Sequence, residues 1–386
     1  MKNQLQLLAV GAPEIGAVPV VPLSRVFLIS ERFGHSAGGE AIKGQHYADA
    51  LLAQGRDVVV FTHERALGLG ADFPSERLRI VKETTLQGWL WKLSPLRPLV
   101  SIYFHLRARR LILDELARDA ADRPKPILHY ISPVSPAALR FPPDGLHVVM
   151  GALTGNIYYP SAFRQRMSFG DRLREALHRV TQSTIGRLAG EKRRVWAVLN
   201  SGYDRTRLSL RLAGWPDSRI IDVVDAGVAD SLFENPRIAH EGYNPRFVCS
   251  GRLVDHKGVD LSIRALALAD PSLTLDIYGD GVMRASLEQL TDELRLRDRV
   301  RFHGWMERHE DLIAGFANYR GYLFPSLAEA NGIVMQEAMT LGLPVIALRW
   351  GGPGMLADDE SALYIEPNNE EQVIADIAKA MERLAR

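Results

Sequence analysis

Two carboxylates flank a predicted helix start in the last third of the chain. Glu329 and Glu337 stand eight positions apart, with Asn331-Gly332 between them. A β-type run ending at Phe324 precedes them, and an apolar helix ending near Gly342 follows. Free backbone N–H groups and the positive dipole end make a helix start attractive to phosphate. We therefore expect a phosphate here, with Glu329 facing sugar hydroxyls and Glu337 facing a ribose diol.

Two cations on an earlier strand-to-helix turn complement these carboxylates. Arg252 and Lys257 flank one short loop after the β-type run 246–250, and glycine stands beside each of them. Arginine binds two oxygens in a fork and lysine adds a point charge, which suits a diphosphate. A plain surface basic pair is the alternative. The chain has no D-x-D pair, so a metal-dependent, single-domain sugar transferase is disfavoured.

Alternating strands and helices must position these residues. The runs 25–30, 58–62, 127–130, 148–150, 195–200 and 220–224 read as buried parallel strands. A second series occupies 246–250, 273–278, 300–303, 322–324 and 362–365. Periodicity lapses near 233–244, so we predict two α/β domains, 1–235 and 236–386. Such sheets bind ligands at the carboxyl edge of their strands.

The first half offers weaker candidates. Gly38 and Gly39 close a glycine-rich loop after the first strand, which lets backbone approach a ligand closely. The loop lacks G-x-G-x-x-G, so a nicotinamide-dependent oxidoreductase is not favoured. His129 ends a strand and could position a sugar hydroxyl, or it could be a hydrogen-bonded core histidine.

Bulk properties exclude several classes of protein. A net charge of +1 gives no reason to expect a nucleic-acid partner, and the single cysteine, Cys249, fits a reducing cytoplasm. We expect no export signal and no membrane span. Basic and aromatic residues are interleaved from Thr84 to Leu113, and nine Lys or Arg stand against three acids from Arg164 to Arg194. These regions suggest docking on an anionic membrane surface, while a solvated helix face over core aromatics is the alternative.

Four segments together resemble a known family: SGRLVDHKG, IYGDG, HGW and PSLAEANGIVMQEAMTLGLPVIAL. They are similar to the carboxyl half of retaining GT-B glycosyltransferases of family four. The resemblance extends more loosely to Arg25. It implies a fold of two doubly wound Rossmann-like domains facing each other across a cleft. It also implies a metal-independent, retaining hexosyltransferase whose donor is a nucleoside diphosphate sugar, without a further cofactor.

The resemblance assigns roles to individual residues. Arg252 and Lys257 would hold the diphosphate, and Glu337 the ribose. Glu329, with the backbone of Asn331, Gly332 and Ile333, would hold the sugar and phosphate. Trp305 would lie beside the base, and Gly38 and Gly39 would approach from the other domain. Ile131 replaces a family histidine, so His129 or His35 would have to contact the sugar. Asn331 replaces a small residue, which bears on sugar choice.

We expect a glycan or lipid-linked acceptor and a cytoplasmic, peripheral location. Two alternatives remain open. One is an epimerase or hydrolase of sugar nucleotides on the same fold, and the other is a non-catalytic sugar-nucleotide-binding subunit of a polysaccharide assembly.

Overall fold

A computed structural model describes most of the chain. The described residues are 25–34, 39–66, 73–85, 88, 97–120, 123–136, 138–154, 159–184, 187, 195–225, 227–228, 230–359 and 361–386. Two parallel sheets account for their strands, and both have the order typical of Rossmann-like folds.

The first sheet has the strand order β3-β2-β1-β4-β5-β6-β7. All its neighbouring strands pair in parallel. Its strands are β1 (Arg25–Ile29), β2 (Asp57–His63), β3 (Leu78–Val81), β4 (Ile127–Tyr130), β5 (His147–Leu153), β6 (Val195–Asn200) and β7 (Ile220–Asp222). The run 148–150 was predicted too short, because strand β5 continues through Gly151 to Leu153 before the chain leaves the sheet.

The second sheet has the order β10-β9-β8-β11-β12-β13 and is also parallel throughout. Its strands are β8 (Arg246–Ser250), β9 (Thr274–Tyr278), β10 (Val300–Gly304), β11 (Gly321–Phe324), β12 (Val345–Leu348) and β13 (Leu363–Ile365). The chain order reverses between β8 and β11, so the loops that leave these two strands diverge at a topological switch point.

Helices connect the strands. In chain order they are α1 (Gly39–Ala53), α2 (Arg97–Ala117), α3 (Phe169–Ser183), α4 (Tyr203–Leu212), α5 (Val259–Leu268), α6 (Arg284–Glu293), α7 (His309–Gly315), α8 (Ile333–Thr340), α9 (Pro353–Leu356) and α10 (Glu370–Ala385). None of the described helices is both long enough and apolar enough to cross a membrane.

Apolar side chains cover both faces of each sheet. In the second sheet, Phe247, Leu275 and Ile277 pack with residues of α5 and α10 in one core. Tyr322 and Val345 pack with residues of α7 and α8 in the other. The first sheet likewise carries one core containing Phe27 and Phe61 and another containing Leu28 and Val60. The prediction of a doubly wound α/β architecture is confirmed.

The chain divides into two compact units. One contains residues 1–154, 179–200 and 208–223, and the other contains 155–178, 201–207 and 224–386. The predicted domain limit at 235 falls within the last of these segments. A sequence boundary at one position does not describe the segment 155–178, whose Phe163 is fully buried in the core of the second unit.

Ion pairs and a hydrogen bond fix that segment to its own unit. Arg166 lies 2.7 Å from an oxygen of Asp260, and the hydroxyl of Tyr159 donates to Asp255 at 2.7 Å. Phe163 contributes the apolar contact between these two polar anchors. The middle of the sequence therefore supplies part of the second unit, which strand and helix patterns alone did not indicate.

Candidate active site

Two loops of the second unit meet at the carboxyl edge of its sheet. The loop after β8 carries Arg252 and Lys257, and the loop after β11 carries Glu329. They are neighbours because β8 and β11 pair directly. The Leu327 N–H donates to the carbonyl oxygen of His256 at 2.8 Å, and the Ser326 hydroxyl donates to the same oxygen at 3.2 Å. The sheet topology and these bonds bring the predicted cations and carboxylate together.

A glycine permits this close approach. Gly258 has φ of +64°, and a Cβ there would lie 2.3 Å from the carbonyl oxygen of Pro325. A side chain at this position would therefore be strained and would also push the two loops apart. Gly258 also precedes the first residue of α5, so the same residue ends the cation-bearing loop and starts the helix.

Lys257 and Glu329 form a short ion pair across the two loops. Lys257 Nζ donates to Glu329 Oε2, and the same Nζ lies 5.6 Å from the ring centroid of Phe324. Both side chains are largely shielded from solvent, at 22% and 19% exposure. The attraction between the two charges is therefore stronger than in a surface salt bridge, and it orients the lysine toward the loop that Glu329 occupies.

The carboxyl of Glu329 is held ionised. Burial by itself would raise its pKa, but the Lys257 ammonium, the Ala330 N–H and the charge of Arg205 more than offset that effect, so the pKa of Glu329 lies below its usual value. The Ala330 N–H donates to Glu329 Oε1 at 3.2 Å. A carboxylate fixed in this way accepts hydrogen bonds and does not act as a proton donor near neutral pH.

Arg205 is a charged residue that the sequence analysis missed. It lies in the first turns of α4, it is only 3% exposed, and it borders the backbones of Gly202 and Gly351. Burial lowers the pKa of Arg205 to about 10, and the charge of Glu329 opposes that shift. No local motif marks this arginine, because its relation to Glu329 spans more than a hundred residues.

Arg252 remains exposed at the mouth of the same loop. It lines a small cavity together with Lys257, Ser250 and Tyr278, at the ends of β8 and β9. Within the described residues its guanidinium forms no ion pair, so both of its edges can reach an anion in solution. The structure thus places Arg252 and Lys257 on one cavity and pairs Lys257 with Glu329, while the binding roles of these residues stay predictions.

Helix α8 starts beside this cluster. Gly332 precedes it with φ of +72°, and Ile333 is its first residue, 44% exposed. Asn331 Oδ1 accepts from Gln336 Nε2 at 3.0 Å, which ties the loop to the helix. The prediction that the helix begins after Glu329, with Glu337 about a turn inside it, is confirmed. The first N–H groups of a helix have no acceptor within the helix, so those at the start of α8 can bind an anion.

Glu337 lies in a separate recess. Its Oε1 accepts from Nε2 of His309 at 2.7 Å, whereas its Oε2 is buried and has no hydrogen-bond partner among the described residues. A cavity of about 430 Å³ opens here, lined by both residues together with Asn235 and Ile313. The unused oxygen suits a hydroxyl donor from a ligand, because a buried acceptor left unpaired costs free energy. The sequence analysis also missed His309, which stands in a run of charged surface residues.

Trp305 follows Gly304 at the end of β10, and its side chain is 64% exposed. An indole held this far into solvent has a face free for stacking. Its loop leaves the same edge of the sheet as the loops of Arg252 and Glu329, because all three strands are parallel.

A pair of glycines supports the Glu329 loop from behind. The Gly352 N–H donates to the carbonyl oxygen of Glu329 at 3.0 Å. A Cβ on Gly352 would lie 1.9 Å from the carbonyl oxygen of Ala330, and one on Gly351 would lie 2.6 Å from that of Glu329. The backbone from Glu329 to Asn331 is therefore fixed by direct contact with the turn that starts α9.

His129 lies in the first unit, where it is 7% exposed on β4. Its Nε2 donates to the carbonyl oxygen of Gly151 at 2.7 Å, and the ring of Tyr47 packs edge-on against it. Burial lowers the pKa of His129 to about 4, so the ring is neutral at physiological pH. These contacts are those of a hydrogen-bonded core histidine, the second of the two interpretations above. Its role as a sugar contact stays a prediction.

The remaining predicted residues are less informative. Gly39 is the first residue of α1, while Gly38 and His35 lie outside the described residues. In the described ranges, no group of three or more His, Cys, Asp or Glu side chains is arranged to hold a metal ion.

Comparisons with known proteins agree with this geometry. Residues 233–384 match the family described as "Glycosyl transferases group 1". That range contains Arg252, Lys257, Glu329 and Glu337. The lipopolysaccharide core biosynthesis glycosyltransferase LpsD of Rhizobium meliloti is 40% identical over 131 residues, which are 33% of this chain and 37% of that protein. The alignments cover about a third of the length of the first curated relatives, at 34%, 31% and 37%.

Solved structures extend the similarity to nearly the whole chain at the level of fold. The apo form of the lipopolysaccharide outer core galactosyltransferase WaaB superposes with a TM-score of 0.61 at 13% identity, covering 94% of this chain and 91% of that one. Anabaena Alr3699/HepE in complex with UDP gives a TM-score of 0.51 at 15% identity, covering 94% and 95%. The two parallel sheets are thus those of a GT-B fold, and residues 233–384 are similar to the glycosyl transferases group 1 family.

Proposed function

We propose that the protein transfers a sugar from a nucleoside diphosphate sugar to a glycan or lipid-linked acceptor, with retention of configuration. The observation that carries the proposal is the Lys257–Glu329 ion pair, held next to Arg252 and to the start of α8. It supplies a cation for a diphosphate and an ionised acceptor for sugar hydroxyls within one pair of loops. The UDP complex of the structural neighbour HepE supports a nucleotide as the donor's leaving group.

The charges suggest how the step would proceed. The bond between the anomeric carbon and the diphosphate oxygen breaks while the acceptor oxygen bonds to the same face of that carbon. The proton of the acceptor hydroxyl passes to the departing phosphate oxygen. Lys257, Arg252 and the N–H groups at the start of α8 stabilise the negative charge that develops on the diphosphate. We propose that no protein nucleophile and no divalent cation take part, and turnover that survives a metal chelator would support the latter.

Glu337 and the cavity beside it would take the ribose. Glu337 Oε2 is a buried hydrogen-bond acceptor beside this cavity, and a ribose diol has two hydroxyl groups that can donate to it. Trp305 would cover the base with its exposed face. We propose that Asn331, at the tip of the loop between Glu329 and Gly332, contributes to the choice of sugar.

A thermal-shift screen against nucleoside diphosphates and their sugars tests the donor site. A ligand at 100 times its Kd stabilises the folded protein by about 2.7 kcal/mol. Lys257→Met should weaken binding of the responding nucleotide by about 10- to 100-fold, because a charge-assisted hydrogen bond contributes about 1.5–3 kcal/mol. Lys379→Met is the matched control, since Lys379 is 76% exposed on α10. If no nucleotide shifts the transition, the proposed donor site is refuted.

Turnover separates the transferase from its alternatives. Donor consumption that needs an acceptor supports transfer, whereas equal consumption without any acceptor indicates an epimerase or hydrolase. Binding without any turnover indicates a non-catalytic subunit.

We also propose that the protein works at the cytoplasmic face of an anionic membrane. In the stretch predicted to dock, the described part of α2 presents Leu99, Leu106 and Leu113 to solvent at seven-residue intervals, at 50%, 49% and 40% exposure. Arg107 and Arg110 are exposed on the same helix. Phe104 does not contribute, because it is buried in the core. Trp89, Trp91 and Lys92 lie outside the described residues.

A further inference from the structure

Helix α3 has its amphipathic character reversed. Phe169, Leu173, Leu177 and Val180, here called the outer stripe, are 82%, 51%, 58% and 59% exposed. On the opposite side, Glu175 and Gln182 are buried, at 4% and 0% exposure. A surface helix of a globular protein normally buries its apolar side and exposes its polar side. The outer stripe is therefore an apolar surface exposed to solvent.

The spacing makes the stripe one continuous surface. Its members follow each other at intervals of four, four and three residues, which places them on one side of a helix. At about 100° per residue they span roughly a quarter of the helix circumference. Four large apolar side chains in one row form a patch, in contrast to the scattered single exposed residues that soluble proteins tolerate.

Positive charge borders the stripe. Arg172 and Arg179 lie on one flank of the row and Arg174 lies on the other. Arg174 pairs with Asp171, whereas the Arg172 guanidinium donates to the backbone carbonyl oxygens of Met167 and Gln165 and so keeps its net positive charge. An apolar row bordered by arginine is the composition of helices that lie in the plane of an anionic membrane. A purely apolar protein partner would not need this charge.

The helix follows a firmly anchored segment. Phe163 lies in the core of the second unit, Arg166 pairs with Asp260, and Tyr159 donates to Asp255, two residues before Lys257. The buried Glu175 pairs with Arg164 at 3.0 Å, which fixes the rotation of the helix about its axis. The outer stripe is thus held outward by the fold itself.

We propose that the outer stripe of α3 inserts into the interface of an anionic lipid bilayer and docks the protein there. The inference deepens the proposed function, on which it rests for the choice of a membrane as partner. Each of these half-exposed leucines should contribute about three- to tenfold to the partition constant when it moves from water to the acyl boundary. Each arginine near the anionic surface should contribute roughly fivefold, and salt should screen this part.

Vesicle co-sedimentation of the full chain tests the proposal. The wild-type protein should bind phosphatidylglycerol-containing vesicles at low salt and bind pure phosphatidylcholine vesicles much more weakly. The double variant Leu173→Gln/Leu177→Gln should lose at least about tenfold in partitioning. Leu268→Gln is the matched control, because Leu268 is an exposed leucine, at 63%, on the second unit's helix α5. It should bind as the wild type does.

Three results would overturn the proposal. The first is that the wild type does not bind anionic vesicles, and the second is that the double variant binds them as strongly as the wild type. The third is that the wild type forms a dimer without vesicles and the double variant does not, which would make the stripe a self-association surface. Nucleotide-induced thermal stabilisation, measured on the same proteins without vesicles, keeps the two claims separate. Donor binding with failed docking refutes only the inference, and docking without donor binding refutes only the donor site.

Discussion

Replacing Gly352 by alanine would displace the Glu329 loop without removing any of its side chains. Gly352 has φ of −56° and ψ of −47°, which suit alanine well, so the substitution causes no backbone strain at this position. The new Cβ would stand 1.9 Å from the carbonyl oxygen of Ala330, about 1.5 Å inside the 3.4 Å at which ordinary contact begins. It would also lie 2.8 Å from the Asn331 nitrogen. The segment from Glu329 to Asn331 must therefore move by roughly an ångström or more.

This displacement sets the size of the expected effect. A misplacement of about 1 Å at a reacting centre can cost about 100-fold in rate. We expect Gly352→Ala to lower kcat/KM for the donor by about that factor, and overpacking to cost about 1–3 kcal/mol of folding free energy. Gly354→Ala is the control in the same short helix, because its Cβ would meet its nearest neighbour at 3.4 Å. Steady-state kinetics well below each melting temperature separate the two effects. Equal kcat/KM for both variants would refute the claim that this loop positions the sugar.

Three further predictions address individual side chains. Glu337→Ala should weaken donor binding, whereas Glu329→Ala should mostly lower turnover; negligible effects of both on the kinetics would contradict the assigned roles. Lys257→Met should destabilise the fold at pH values above the ordinary pKa of glutamate, about 4.5, because Glu329 is then ionised and buried without its partner. The difference in melting temperature between this variant and the wild type should shrink as the pH falls below that value. A difference that does not depend on pH would contradict the ion pair. The pKa of His129 is lowered from 6.5 to about 4, so the unfolded chain binds more protons than the folded chain between these pH values. The free energy of unfolding of the wild type should therefore fall by up to about 3 kcal/mol as the pH drops through this range. In urea unfolding, His129→Asn should make the free energy of unfolding depend less steeply on pH, and an unchanged pH dependence would refute the burial argument.

Local patterns predicted the bounds of five of the six strands of the second sheet to within one residue. The run 246–250 is β8 as predicted, because β-branched strands and glycine-bounded turns are local signals. The meeting of Lys257 with Glu329 could also be anticipated, since both follow adjacent strands at a switch point. The family resemblance placed them in one site before any geometry was available.

Three features of the protein arise from long-range packing and could not be predicted from the sequence. The charge of Arg205 acts on Glu329 only because residues 201–207, which follow β6 in the sequence, belong to the second unit. His309 contacts Glu337 only because α7 and α8 pack on the same face of the sheet. The reversed polarity of α3 is visible as periodicity, yet only burial shows which side faces outward. Each case depends on a tertiary contact that no window of sequence contains.

The turn at Gly351-Gly352 has a consequence for how sugar preference can diverge among related chains. The path of the Glu329–Asn331 backbone is fixed mainly by contacts with main-chain atoms of that turn, to which the Asn331 side chain adds one hydrogen bond with Gln336. Position 331 can therefore change its side chain while the carbonyl and N–H groups around it stay in register. On the proposed function, a single substitution at position 331 should therefore change which donor sugar is accepted while the backbone around Glu329 keeps its position.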